Sequence, residues 1–365
     1  MAFSLSNVFS SLQKAAPSLV QQVIGIDIGS SAVKIVQLER SEQAPILKTY
    51  GSIELGPYLD LPAGKSIDTN QEILTKAIVD VMRESGATAN TGVLSLPLQT
   101  GFVTVVPVTV EEGETLESKI PIAARKYIPV PLTEVTLDWV QLPQVGPSGD
   151  VDEKKQMVLL VALQNDAVVM HSSLLSNIGM SGQPMELEPF SLHRAVPMQI
   201  PNITVMIDIG AEISKLFIFQ DNSLMKLHRM TAGGSQITEK LASLHQLDFA
   251  AAEQLKRSMA SATPDHVADI KRATAAVLDA PLLEFKRIIE KYEKTVGTSV
   301  GRVILSGGVV TSPEVQRYIG DTLQRPVGSI FPFAQVGYPA FMEDTLHSIG
   351  PLFAPSLGAA LRLLS

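Results

Sequence analysis

Hydrophobic and polar positions divide the chain into short apolar runs, which suit buried strands, and longer stretches with helical periodicity. Apolar runs at 23–26 and 32–38 flank the sequence Asp-Ile-Gly, and runs at 203–207 and 216–219 flank a second Asp-Ile-Gly. Glycine permits the backbone angles of a tight turn, which side chains disfavour. The pattern therefore predicts two hairpins, each made of a strand, a tight turn and a second strand.

Changes in periodicity and clusters of glycine, proline and charged residues indicate boundaries between structural units. The predicted units are an N-terminal segment, 1–21; the first lobe, 22–91; an inserted subdomain, 92–156; the first lobe continued, 157–201; the second lobe, 202–340, with a helical subdomain at 248–297; and a return to the first lobe, 341–365. The longest helical pattern contains Pro281, which is expected to break it into two helices because proline lacks the amide donor.

The N-terminal segment places Phe3, Leu5, Val8, Phe9 and Leu12 at near-helical spacing, which predicts a short amphipathic helix. Such a helix could contact a membrane or a partner protein, or it could pack against its own chain or fray. The segment has a single basic residue, whereas anionic lipid attracts surfaces with more positive charge. Packing or fraying is therefore the favoured interpretation.

Composition and charge exclude several classes of function. The chain of 365 residues has no cysteine, which rules out disulfides and thiol catalysis and fits a reducing cytoplasm. A net charge of −8 without a basic cluster argues against nucleic acid as a partner. The longest apolar run, at 157–163, is far shorter than the roughly 20 residues of a membrane-spanning helix, so no membrane-spanning segment is expected.

The first hairpin carries residues that suit a phosphate and a magnesium ion. Gly29 allows main-chain N–H groups to approach a phosphate closely, and the hydroxyls of Ser30 and Ser31 add donors. Asp27 lies at a strand end, where its carboxylate can hold the water ligands of Mg²⁺. Lys34 can direct a compact positive charge towards the phosphates.

The second hairpin repeats this arrangement with Asp208, Gly210 and Lys215 in equivalent positions. One Asp-Gly turn alone is best read as an ordinary turn, but a repeat with the lysine in register favours a functional interpretation. Two such hairpins that face each other could hold a polyphosphate from opposite sides, with Asp27 and Asp208 near Mg²⁺. Lys215 could act as Lys34 does or could cover a surface.

Two glycine pairs and one charged pair extend the candidate site. The pair at 233–234 precedes a helical pattern, and the pair at 307–308 follows a predicted strand, where the backbone could pass close to a base or a ribose. Glu253 and Lys256 lie three residues apart on one face of a predicted helix. This spacing alone fits a solvated surface pair.

The order of these motifs, IDIG-SSAVK, IDIG-AEISK, AGG, AExxK and LSGG, resembles the ATPase superfamily of actin, chaperones and sugar kinases. Within it, the chain resembles the type IV pilus assembly protein PilM family, which is related to the actin-like bacterial cell-division protein. The resemblance covers nearly the whole chain and includes segments at 25–38, 124–139, 157–180, 186–195 and 357–364. It implies an α/β protein with a two-lobed actin-like ATPase fold and an inserted small α+β subdomain in the first lobe.

The resemblance also implies an ATP molecule with Mg²⁺ between the lobes. The matching positions are Asp27, Gly29, Ser30, Ser31, Lys34, Asp208, Ile209, Gly210, Gly233 and Gly234 for the phosphates, with Asp27 and Asp208 for Mg²⁺ through water, and Glu253, Lys256, Gly307 and Gly308 for the ribose and base. The sequence departs from the family at 212–214, where a Ser-Thr pair is common. This departure weakens the expectation of ATP hydrolysis more than that of ATP binding.

Two classes of function remain open for the sequence. A small-molecule kinase of the sugar type needs a general base opposite an acceptor hydroxyl, and Asp138 beside Trp139 is the nearest candidate. An interaction protein would use ATP as a conformational ligand that arranges the lobes for a partner. We favour the interaction protein, because no stretch supplies an obvious sugar pocket; an actin-like cell-division or cytoskeletal protein is a further alternative.

For the favoured class, the resemblance implies a cytoplasmic scaffold that is peripheral to the inner membrane and belongs to the pilus assembly platform. Its implied partner is the cytoplasmic N-terminal tail of a PilN-like inner-membrane protein, with pilus motor or platform components as further partners. We expect a groove between the inserted subdomain and the first lobe to bind this tail. The expected groove residues are Ile128, Val130, Leu132 and Val135, with Arg125 or Lys126 for polar groups. The alternative for the apolar residues is the core of the subdomain, and we expect this alternative to hold for two of the four.

Overall fold

The computed structural model describes residues 20–68, 70–143, 154–180, 185–197, 202–258 and 263–364. The strands are β1 (Gln22–Ile28), β2 (Ala32–Glu39), β3 (Ile46–Glu54), β4 (Gly92–Leu96), β5 (Gly101–Thr109), β6 (Val135–Gln141), β7 (Lys155–Gln164), β8 (Met185–Leu187), β9 (Ile203–Ile209), β10 (Ser214–Gln220), β11 (Ser223–Met230), β12 (Val303–Ser306) and β13 (Val327–Ser329). The helices are α1 (Gln71–Ser85), α2 (Leu116–Ala124), α3 (Asn165–Asn177), α4 (Glu188–Arg194), α5 (Gly234–His245), α6 (Phe249–Arg257), α7 (Pro264–Val296), α8 (Pro313–Leu323) and α9 (Glu343–Leu361). The predicted N-terminal helix falls outside the described residues.

Two five-stranded sheets form the centres of two lobes and share one strand order. The first sheet has the order β3-β2-β1-β4-β8, and the second has the order β11-β10-β9-β12-β13. In both sheets, the hairpin strands are antiparallel, and the first strand of the hairpin pairs in parallel with the strand on its other side. The two predicted hairpins therefore exist and occupy equivalent places in the two sheets.

The hairpin strands are apolar along most of their length because both faces of each sheet are covered. In β1, β2, β9 and β10, almost every residue is buried. A strand that is buried on both faces reads as a continuous apolar run rather than as an alternation. This burial explains why the pattern of the sequence located these strands accurately.

A third sheet, of order β5-β7-β6, forms the inserted subdomain. Its strand pairing differs from the predicted boundaries, 92–156. Strand β4 (Gly92–Leu96) pairs with β1 in the sheet of the first lobe, and β7 (Lys155–Gln164) is the central strand of the small sheet. By strand pairing, the subdomain therefore extends from β5 to β7. The residues of an apolar strand do not indicate which sheet the strand joins, so the sequence pattern could not assign β4 and β7 to their sheets.

The inserted subdomain has its own hydrophobic core between the small sheet and α2. Two of the expected groove residues, Ile128 and Val135, are buried in this core, and the other two, Val130 and Leu132, pack against it. The expectation that two of the four belong to the core of the subdomain is therefore confirmed for Ile128 and Val135, whereas Val130 and Leu132 are only partly buried. The basic residues at 125–126 are exposed.

Helix α7 is a single helix from Pro264 to Val296, so the prediction that Pro281 breaks it is wrong. Pro281 is buried in the helix with Leu278, Leu282 and Phe285. A proline inside a helix costs about 3 kcal/mol. Burial of each large apolar side chain contributes about 1.5–3 kcal/mol and offsets this cost, because the helix on both sides of the proline packs against the same core.

Helix α9 packs against β1 and α4 with main chains in direct contact. A Cβ atom on Gly25 would lie 1.9 Å from the carbonyl oxygen of Ser356, and one on Gly358 would lie 1.8 Å from the carbonyl oxygen of Ser191. Arg194 donates to the carbonyl of Gly358 at 3.0 Å and so adds a polar contact to the same crossing. The two glycines permit this close approach, which ties α9 to the first lobe.

Within the ranges that the structure describes, none of the helices combines the length and the apolarity needed to cross a membrane.

Candidate functional site

A cavity of about 300 Å³ lies between the lobes, where the two hairpins face each other. All of the predicted site residues except Ile209 and Gly233 line it. Ile209 is fully buried behind the cavity wall. Gly233 packs against the second hairpin, because a Cβ atom at this position would lie 2.6 Å from the carbonyl oxygen of Gly210. The structure thus brings residues from distant parts of the sequence to one cavity.

In the first hairpin, Asp27 and Lys34 lie opposite each other on β1 and β2. Lys34 Nζ is 3.4 Å from Asp27 Oδ2, and the side chains are 17% and 11% exposed. The amide of Gly29 donates to the carbonyl of Ala32 at 3.0 Å and closes the turn. Lys34 therefore makes only a long contact with the Asp27 carboxylate, and its ammonium group lies at the cavity surface.

The second hairpin has the same register, with Lys215 opposite Asp208, but the environment of the lysine is different. Lys215 is 8% exposed, and its ammonium donates to Glu188 Oε1 and, at 3.2 Å, to Asp208 Oδ2. Burial acts to lower the pKa of Lys215, but the carboxylates of Glu188 and Asp208 outweigh burial and raise the pKa. Lys215 is thus the charged counter-ion of a buried carboxylate pair rather than a surface residue.

Glu188, at the start of α4, is a cavity residue that the sequence analysis did not identify. Its Oε1 accepts from Lys215, and its Oε2 is buried without a hydrogen-bond partner among the described residues. Burial raises the pKa of Glu188; the Lys215 ammonium opposes this shift, and the carboxylates of Asp208 and Asp27 add to it. Glu188 therefore brings an acceptor that no described residue uses to the lining of the cavity. The only sequence signal is a glutamate between an apolar strand and a helix-starting proline, Pro189.

The carboxylates of Asp27, Asp208 and Glu188 provide the hard oxygen donors that Mg²⁺ prefers. No three His, Cys, Asp or Glu side chains of the described part of the chain are placed to hold a metal ion directly. Mg²⁺ commonly keeps several of its waters, and the free Oε2 of Glu188 can accept a hydrogen bond from such a water. The residues therefore fit a magnesium ion that is held through water.

Glu253 and Lys256 face the cavity and do not form the solvated pair that their spacing alone suggests. Lys256 Nζ is 2.7 Å from Glu253 Oε2, and it also donates to the carbonyl of Gly234 at 2.9 Å. Thr238 donates to the same carboxylate oxygen at 2.5 Å. These contacts join α6 to the glycine pair at the start of α5.

The turn after β3 links the first lobe to the second lobe beside the cavity. The contacts are Ser235 Oγ to the Gly64 carbonyl at 2.8 Å, Ser66 Oγ to Glu212 Oε2 at 3.0 Å, Lys65 Nζ to Glu239 Oε1 at 2.5 Å and Arg257 Nη2 to Glu54 Oε1 at 2.9 Å. Gly64, Glu54, Arg257 and Glu212 also line the cavity. Glu212 lies where the sequence departs from the family motif, and its carboxylate is used in this contact between the lobes.

Asp138, the candidate base of a kinase, lies on β6 of the small sheet and does not line the cavity. Its Oδ1 accepts from the amide of Trp139 at 2.9 Å, and burial raises its pKa to about 6. A base for phosphoryl transfer must reach the acceptor hydroxyl at the nucleotide. The position of Asp138 therefore argues against the kinase alternative.

Comparisons with known proteins cover nearly the whole chain. A family model described as type IV pilus assembly protein PilM matches residues 25–364. Cell division protein FtsA of Bacillus subtilis (strain 168) is 20% identical over 342 residues, which are 83% of this chain and 77% of FtsA. The relation to the actin-like cell-division protein is therefore present but distant.

Two of the solved structures that match this chain illustrate the shared fold. The structure described as the PilM-PilN type IV pilus biogenesis complex has a TM-score of 0.76 and 26% identity, and the match covers 95% of this chain and 100% of that chain. Ethanolamine utilization protein EutJ from Carboxydothermus hydrogenoformans has a TM-score of 0.55 and 14% identity, with coverages of 99% and 97%. The predicted fold class, a two-lobed actin-like ATPase fold with mixed sheets, is confirmed.

Proposed function

Because the chain belongs to the type IV pilus assembly protein PilM family, we propose that it binds ATP with Mg²⁺ between its lobes and acts as a scaffold of a pilus assembly platform. The scaffold binds the cytoplasmic N-terminal tail of a PilN-like inner-membrane protein, in a conformation that the nucleotide sets. This partner places the protein on the cytoplasmic face of the inner membrane as a peripheral component. The similarity to the PilM-PilN complex supports the choice of partner.

The observation that carries ATP binding is the meeting of two equivalent hairpins at one cavity. The cavity volume of about 300 Å³ lies at the lower end of the range of small-molecule sites. Lys34 has one partner at 3.4 Å, so its ammonium can turn to a phosphate, and Ser30 and Ser31 offer their amides and hydroxyls. Such a set of donors on the first hairpin suits a polyphosphate.

Asp27, Asp208 and Glu188 would hold the magnesium ion through its water ligands. When bound, the ion neutralises part of the phosphate charge. The carboxylates orient those waters, and Lys215 keeps Glu188 and Asp208 in place. The glycine pair at 307–308, which also lines the cavity, leaves room for the ribose and base.

Replacing either Asp27 or Lys34 with alanine is expected to weaken Mg-ATP binding about tenfold or more, because each variant removes a charged contact of roughly 1.5–3 kcal/mol. Isothermal titration calorimetry on the purified chain measures the affinity. Lys48→Ala is the matched control, since Lys48 pairs with Glu39 away from the cavity and is 42% exposed. Native affinity in both cavity variants, with native circular dichroism, would contradict the proposed site.

For the partner tail, we propose a groove other than the expected one, because Ile128 and Val135 are buried in the core of the subdomain and Val130 and Leu132 pack against it. A cavity of about 140 Å³ lies between β5 of the small sheet and β11 of the second lobe, and its walls include Phe102, Tyr127, Leu227 and Arg229. Both β5 and β11 are edge strands of their sheets. An extended tail can pair with such an edge while the cavity accepts one of its side chains.

The segment between β4 and β5 connects this groove to the nucleotide cavity. Gln99 lines the nucleotide cavity and also a small cavity that Arg229 lines. Arg229 Nη1 lies 3.5 Å from the carbonyl of Leu98, and Leu98 in turn lines the groove. A nucleotide that moves this segment therefore changes the groove, which is a physical route for linkage between ATP and partner.

A synthetic peptide of the partner's N-terminal tail is expected to bind the purified chain, and Tyr127→Ala is expected to weaken binding about tenfold, because buried aromatic contacts dominate such interfaces. Ile122→Ala on α2 is the control, since Ile122 is 56% exposed and lies outside the groove. Fluorescence anisotropy with and without ATP, against a scrambled peptide, gives the affinities. Equal binding of both peptides would contradict the scaffold function, whereas tail binding unaffected by Tyr127→Ala would contradict only the groove.

A further inference from the structure

Helix α9 contains two prolines, Pro351 and Pro355, four residues apart. In an α-helix, the amide of each residue donates to the carbonyl four residues earlier. Proline has no amide hydrogen, so Pro355 leaves the carbonyl of Pro351 without its intrahelical donor. The helix continues through both positions, and this carbonyl is available to a group outside the helix.

That carbonyl accepts two hydrogen bonds from the second lobe. The amide of Gly307 donates to it at 3.0 Å, and the hydroxyl of Ser306 donates at 3.1 Å. Ser306 ends β12 and lies beside Asp208 in the parallel register of the sheet. The two bonds therefore fix the loop that follows β12 next to the second hairpin.

The conformation of this loop depends on glycine. Gly307 has a φ of +97°, and a Cβ atom would lie 2.2 Å from the carbonyl oxygen of Ile209. The loop is thus confined between the second hairpin on one side and α9 on the other. Its next residue, Gly308, lines the nucleotide cavity, as do Pro351 and Pro355.

Helix α9 is itself tied to the first lobe through the close approaches at Gly25 and Gly358. The carbonyl of Pro351 is therefore a direct hydrogen-bonded link between a first-lobe helix and a second-lobe loop at the cavity. A relative movement of the lobes must either carry this loop with α9 or break two hydrogen bonds.

We propose that Pro355 is a positioning residue. Because it has no amide hydrogen, it leaves the Pro351 carbonyl free to accept from Gly307. This bond holds the loop at Gly307 where the nucleotide contacts it. This inference rests on the proposed function, ATP binding between the lobes. Pro355 acts through Pro351 and Gly307 and makes no hydrogen bond of its own from its nitrogen.

The test is Pro355→Ala, which supplies an amide that competes with Gly307 and Ser306 for the carbonyl of residue 351. Mg-ATP affinity is expected to fall about fivefold, the value of roughly one hydrogen bond. The melting temperature is expected to stay the same or rise, because alanine favours a helix far more than proline does. If Pro355 only supported the fold, Pro355→Ala would lower the melting temperature and leave the Mg-ATP affinity unchanged.

Pro351→Ala is the matched control. Its new amide faces the carbonyl of His347, four residues earlier, and the carbonyl of residue 351 stays free as long as Pro355 is present. Both prolines line the cavity, so Pro355→Ala is expected to bind Mg-ATP more weakly than Pro351→Ala, which changes the cavity wall but leaves this carbonyl free. An equal loss of affinity in both proline variants would assign the effect to the cavity wall and overturn the inference, as would native affinity in Pro355→Ala.

Amide hydrogen exchange at Gly307 without nucleotide separates this inference from the proposed function. The amide is expected to exchange faster in Pro355→Ala than in the native chain and in Pro351→Ala. Failure of the native chain to bind Mg-ATP, with this exchange difference present, would contradict ATP binding and leave the link intact. If Pro355→Ala does not fold, Pro355→Gly supplies the same competing amide without a side chain, and exchange at Gly307 no faster than in the native chain would overturn the link.

Discussion

Replacing Lys215 with methionine is expected to lower the free energy of unfolding by about 3 to 5 kcal/mol, because it leaves buried carboxylates without their counter-ion. Lys215 donates to both Glu188 and Asp208, and all three residues are buried. Methionine fills a similar volume, so the loss reports the missing charge rather than a cavity. Urea denaturation followed by circular dichroism measures the change.

Lys34→Met is the matched control, because Lys34 holds the equivalent position in the first hairpin. Its single partner, Asp27, is 3.4 Å away, and its side chain opens to the cavity. A loss of only about 1 kcal/mol is expected. The double variant Lys215→Met with Glu188→Gln is expected to regain part of the stability, since it removes one of the uncompensated charges. Equal losses for the two lysines would contradict the different roles assigned to them.

Replacing Gly358 with alanine is expected to lower the free energy of unfolding by about 3 kcal/mol, because the added Cβ clashes with main-chain atoms. This value is the upper end of the range for overpacked sites. The added Cβ would lie 1.8 Å from the carbonyl oxygen of Ser191, so α9 must move away from α4. Gly320→Ala in α8 is the control, because its nearest atom would be 3.3 Å away. Thermal unfolding of the two variants should differ clearly, and equal midpoints would argue against close main-chain contact at Gly358.

The two hairpins could be predicted from the sequence because all of their determinants are local. The apolar runs, the Asp-Ile-Gly turns and the lysines in register lie within short segments, and the repeat at Asp208 supports the interpretation of Asp27. The structure places these segments at equivalent positions in the two sheets. Local pattern was sufficient here because each hairpin pairs with itself.

The features that could not be predicted depend on contacts between distant segments. Strands β4 and β7 are apolar runs whose sheets are decided by pairing with β1 and β5. Pro281 stays within a helix because its neighbours on both sides are buried in one core. Glu188 becomes a site residue only because the fold brings it to Lys215.

The contacts between the lobes could not be predicted for the same reason, because they also join distant segments of the chain. Glu54 and Arg257 lie on different lobes and have no shared motif, yet they pair beside the cavity. Gly64 has a φ of +81°, and its carbonyl accepts from Ser235. In the sequence, Gly64 indicates only a turn.

The shared strand order of the two sheets gives the cavity two walls with the same backbone plan. In a symmetric pair of identical subunits, any substitution would appear on both sides of the cleft. In a single chain, each wall carries its own side chains. At equivalent positions, Lys34 is therefore an open cation on one wall, and Lys215 is an internal counter-ion on the other.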